Sequence, residues 1–120
     1  MILVRRVPAG SVQRVVLLGA LGVDDEALVT RLPATLPDRT RTVRMLLNKL
    51  WLGDEQGPQV LCRLDRALAA AQVERLWLGA TPETAEALAR GGLRATTTPL
   101  ERRDLRASAS WAGAPPSLLD

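Results

Sequence analysis

The sequence predicts an α/β domain, a mixed β-sheet flanked by helices, and three observations carry that reading. Residues 59–72 repeat apolar side chains at helical spacing, with Val60, Leu61, Leu64, Ala67, Leu68 and Ala71 on one face. Val73-Glu74-Arg75-Leu76-Trp77-Leu78 follows as an apolar run of strand length. Thr81-Pro82-Glu83 then supplies an N-cap, a proline at the first helical position and an acid in the first turn. Gly91-Gly92 closes that helix, since glycine tolerates the left-handed conformation at a helix C-terminus. A β-rich stretch over 93–98, stopped by Pro99, completes a helix–strand–helix–strand unit.

The front half reads less uniquely. Residues 2–7 predict a first strand, broken by Pro8. Ser11 can cap a helix running to about Leu21, with Val12, Val15 and Val16 inward, although the β-branched run Val15-Val16-Leu17-Leu18 fits a strand equally well. Asp24-Asp25-Glu26 opens a short helix to about Leu32, its acids placed where the helix dipole favours them. Between residues 39 and 52, Val43, Leu46, Leu47 and Leu50 match helical spacing while Val43, Met45 and Leu47 match strand alternation; a strand or hairpin is expected. Residues 53–58 form a polar loop, and 100–108 predict a closing helix with Arg102, Arg103 and Arg106 outward. Residues 1–110 are read as one domain and 111–120 as a proline-rich tail, with Trp111 expected to tuck back.

Composition narrows the chemistry. The 120 residues contain no Phe, Tyr or His, so the core is built from Leu, Val and Ala with three Trp as large anchors. Without histidine there is no Ser-His-Asp or Cys-His constellation, and no metal site is expected, because carboxylates alone rarely hold zinc. Cys62, the single cysteine, allows no intrachain disulfide and is expected to be buried and inert. The net charge of +3 comes almost wholly from arginine, Lys49 being the only lysine. The positive charges are scattered and few aromatic platforms accompany them, which argues against a nucleic-acid footprint. No apolar run approaches the roughly 20 residues that cross a membrane, and the start does not look like a signal peptide. A cytoplasmic location is the expectation.

Residues 50–94 resemble the GNAT superfamily of acyl-CoA-dependent N-acetyltransferases. Leu50-Trp51-Leu52 looks like the end of that family's fourth strand, and Asp54-Glu55-Gln56-Gly57 stands where its pyrophosphate loop begins. Val73-Glu74-Arg75-Leu76-Trp77-Leu78 is similar to its fifth strand, and residues 81–93 to the helix that follows. The resemblance implies acetyl-CoA as cofactor, held by Leu52, Gln56, Gly57, Gln59 and Val60, with a small amine as acceptor. It also implies reduced second and third strands, because too few residues lie between Pro33 and Leu50. The loop departs from the family pattern: Gly57 is its one clear phosphate-loop glycine, and Pro58 removes an N–H donor that a bound phosphate would use. The family's tyrosine is missing too, and no residue is assigned a catalytic role. These departures support an alternative, a non-catalytic protein-interaction or regulatory module, acting on a protein partner or as a homodimer through an open sheet edge.

Overall fold

The structure is a computed structural model and describes residues 2–109. Its centre is a four-stranded mixed sheet in the order β1-β2-β3-β4, comprising Ile2–Ala9, Val12–Leu21, Thr42–Leu52 and Glu74–Leu78. Strands β1 and β2 form an antiparallel hairpin whose turn holds Gly10 at φ +64°. Strands β3 and β4 then add in parallel, as crossover connections require. The first crossover carries a 3₁₀ turn at Val23–Asp25, α1 at Glu26–Thr30 and α2 at Leu32–Thr35. The second is α3, Gly57–Ala70, followed after β4 by α4, Pro82–Arg90, and finally α5, Arg102–Ala109.

The segment expected to be a helix from Ser11 to Leu21 is β2. The physical reason is that both faces of this strand are covered. Val15 and Leu17 enter the main core, whereas Val16 enters a second cluster with Leu46 and Ala107 of α5. A strand buried on both faces shows a continuous apolar run and no alternation, which periodicity does not separate from a buried helix. Residues 42–52 form one long strand, and a bulge explains their mixed pattern. Val16 pairs with Leu46, but Leu18 pairs with Lys49, so two residues of β3 oppose one of β2. The parity of β3 flips there: Val43, Met45 and Leu47 face the main core before the bulge and Leu50 after it.

The helices α1 to α4 share the main core face with the inward side chains of the sheet. Leu61, Leu64 and Leu68 of α3 are fully buried there, beside Leu88 of α4. Trp77 of β4 is buried with its indole N–H donating to Asp65 Oδ1 at 2.8 Å, the same oxygen that accepts from Arg75 Nε at 2.7 Å. One α3 carboxylate thus satisfies the polar end of the largest core side chain and fixes α3 against β4. Thr81 caps α4 as its sequence indicated, accepting from the Thr84 N–H at 3.2 Å. The strand expected over 93–98 is reduced to one parallel bridge between Ala95 and Trp77. Trp111 and the tail lie outside the described residues.

The sheet departs from the order that the GNAT resemblance implied. The strand entering the 53–59 loop is the third of the chain, not the fourth, and the stretch between Pro33 and Leu50, where reduced second and third strands were expected, holds the end of α2 and most of the single strand β3. The α/β class holds: a mixed sheet with helices on both sides.

Candidate functional site

The parallel strands β2 and β3 end side by side at Leu21 and Leu52, and the chain leaves both through glycine. Ligand and partner sites of open parallel sheets gather at this position, outside the carboxyl ends of adjacent strands. The Gly53 N–H donates to the Leu21 carbonyl at 2.7 Å, which holds the two exits together.

Asp54 organises the loop. Its Oδ1 accepts from the backbone N–H groups of Gln56 at 2.8 Å and Gly57 at 3.0 Å, and its Oδ2 accepts from the Val23 N–H at 3.1 Å. The first amides of α3, which an incoming anion would otherwise use, are therefore capped from within the chain. Two glycines make this close packing possible. A Cβ on Gly22 would lie 2.6 Å from Asp54 Oδ2, and one on Gly57 would lie 2.8 Å from the Leu21 carbonyl oxygen. Gly57 is thus needed where the start of α3 presses on the end of β2. The loop also aims its remaining polar groups outward: Glu55 and Gln56 are exposed.

The five residues expected to hold a cofactor do not converge. Val60 is buried in the main core, and Gly57 is buried against β2. Gln56 is exposed at the loop tip. Leu52 and Gln59 alone of the five line a shallow groove of about 580 Å³, with Asp54, Glu55, Pro58 and, across from them, Ala87 and Arg90 of α4. Cys62 is buried as expected, and burial pushes its thiol pKa up, which favours the protonated thiol. Among the described residues no group of three or more His, Cys, Asp or Glu could hold a metal ion, and no helix is long and apolar enough to cross a membrane.

Sequence reasoning missed Trp51. Composition makes it one of three large core anchors, yet its side chain is 58 % exposed, on the α5 side of the sheet. The signal was the bulge, which turns Leu50 inward and Trp51 outward, and a bulge is not visible in a single strand's sequence. Val23, 49 % exposed, stands at the same end of the sheet, its N–H on Asp54. The carboxyl end of the sheet therefore presents two exposed apolar side chains around an acidic, hydrogen-bonded loop.

No family model matches the chain, and no curated protein matches it. Solved structures do. The anti-sigma factor antagonist SpoIIAA in its unphosphorylated form superimposes with a TM-score of 0.54 at 16% identity, covering 80% of this chain and 89% of that one. The Bacillus cell fate determinant SpoIIAA in the phosphorylated form gives the same TM-score and identity, over 80% and 92%. The murine Solute Carrier 26 family member A9 anion transporter, in the inward-facing state, gives a TM-score of 0.59 at 14% identity, over 72% of this chain. The chain spans 14% of that transporter. At these identities the likeness is one of fold. It corrects the GNAT resemblance: the neighbours are STAS-domain proteins, not acetyltransferases, and they lend no support to acyl-CoA chemistry.

Proposed function

We propose that this chain is a non-catalytic protein-interaction module of the anti-sigma-factor-antagonist kind, engaging a protein partner through the carboxyl end of its sheet. The observation that carries this reading is the self-capped loop. Asp54 consumes the amides at the start of α3, so the surface offers no open anion cradle there, while Trp51, Val23, Glu55 and Gln56 stand exposed around it. An exposed tryptophan beside a rigid polar loop is the type of anchor on which protein interfaces concentrate their binding energy. The fold likeness to SpoIIAA, which its name describes as an antagonist of an anti-sigma factor, supports the same class of role. The chain has neither histidine nor tyrosine to offer beside the loop, and Asp54 is engaged by backbone N–H groups.

The test is a native co-purification of the full chain from its own cells, with Trp51→Glu as the comparison. Trp51 is mostly exposed and belongs to neither buried apolar cluster, so the variant is expected to melt within about 0.5 kcal/mol of the parent. A specific protein retained by the parent and lost about tenfold or more by Trp51→Glu supports the proposal. Equal retention by both chains overturns the assignment of this surface. Self-association that Trp51→Glu abolishes, read by light scattering, would replace the heterologous partner with a second copy.

A further inference from the structure

At the opposite end of the sheet, the edge strand β1 and helix α5 enclose a groove of about 350 Å³. Its walls are four arginines, Arg5, Arg14, Arg103 and Arg106, and its floor is apolar, made by Val7, Ala9 and Ala107. Among the described residues no acidic side chain lines it. The nearest carboxylate with buried reach, Asp104, is already spent on the strands: its Oδ1 accepts from Arg14 Nε at 2.8 Å and Arg44 Nε at 2.9 Å, and its Oδ2 from Arg44 Nη2 at 2.6 Å. Asp104 is hydrogen-bonded to Arg14 and Arg44 and to none of the other three arginines of the groove.

Those three are uncompensated among the described residues. Arg5 Nε is buried and has no hydrogen-bond partner. Buried donors are nearly always paired, so this guanidinium nitrogen is open to an acceptor, a water or an anionic oxygen. Arg103 and Arg106 sit three residues apart on one helix, where like charges repel. A fold gains nothing in stability from converging these positive charges on an apolar floor. The arrangement suits a ligand that brings oxygen acceptors to the arginine forks and an apolar body to Val7, Ala9 and Ala107.

The geometry points to an oxyanion-binding site in this groove, for a small phosphate monoester carrying an apolar group. The volume lies at the small end of ligand pockets, enough for a ring or short chain beside the phosphate. The site is independent of the protein-docking surface proposed above, which lies at the other end of the sheet. Either assignment can fail without the other.

The probe is phenyl phosphate, titrated at constant ionic strength into the full ¹⁵N-labelled chain, with inorganic phosphate and phenol in parallel. The expected result is saturable shifts confined to β1, α5 and the Arg5 Nε–H signal, with inorganic phosphate binding more weakly and phenol not at all. Arg103→Gln with Arg106→Gln, both exposed positions, is expected to leave the fold intact and weaken phenyl phosphate about tenfold or more. Shifts that do not saturate by about 10 mM, an affinity weaker than the millimolar class, overturn the proposal. So does unchanged affinity in the double variant, or shifts centred on the 53–59 loop.

Discussion

On one face of the sheet, Ile2, Val4, Val15, Leu17, Val43, Met45 and Leu47 meet α1 to α4 in a large apolar cluster. On the other face the buried apolar cluster is Val16, Leu46 and Ala107, and α5 is held chiefly by charge. Asp104, fully buried, receives Arg14 and Arg44 from neighbouring strands, where the two arginines stand in register. Asn48 of β3 adds a hydrogen bond to Ser108 at 2.9 Å. The contrast is between a face whose stability is non-directional and scales with area, and a face whose attachment depends on a few oriented groups. The first tolerates apolar exchange of similar volume; the second tolerates no loss of a partner.

The sharpest way to break the comparison is Asp104→Asn. Removing this charge leaves buried Arg14 and half-buried Arg44 with only the exposed Glu101, at 4.0 and 3.6 Å, and breaking a buried pair costs about 3–5 kcal/mol. The expected outcome is loss of α5 protection in hydrogen exchange, with protection retained in α3 and β3. Equal loss on both faces would show that α5 is integral to the main core.

Acid provides the second test. Burial alone would raise the Asp104 carboxyl, but hydrogen bonds from Arg44 and Arg14, the positive charge of Arg44 and the Glu101 N–H hold it below the usual carboxylate range. The same hydrogen bond to Asp104 raises Arg44 above its ordinary value. A depressed carboxylate contributes stability that is fully present above its unfolded value, about 3.9, and is lost as pH falls through the lower folded value. Detachment of α5 is therefore expected only below about pH 4, before the apolar face unfolds, as read by amide exchange or NMR. Release of α5 near neutral pH would contradict this.

The smallest effect is expected at the α4 cap. Thr81→Ala removes the side-chain acceptor of the Thr84 N–H and should cost about 1 kcal/mol in chemical denaturation. It should shift the main face and leave the α5 exchange pattern relative to global unfolding unchanged.

Elements with local causes are legible in the chain alone. α3 follows from its apolar spacing, α4 from Thr81, Pro82 and Gly91, β4 from its compact apolar run, and α5 from a short helical pattern with its arginines outward. It also excluded histidine-based catalysis outright, since composition needs no structure to be read. What it left open was decided between elements. β2 is a strand because its two faces are buried against different partners, a fact held in α5 and α1–α3 and not in residues 12–21. Trp51 points outward because of a bulge defined only by pairing with β2. Asp54 caps α3 and binds Val23 because residues 31 positions apart meet at the strand ends. The arginines of β1 and α5 form a groove only once the helix lies on the sheet. Local propensity is written in neighbouring residues, whereas pairing register, burial of a second face and convergence of charge exist only after distant segments have packed.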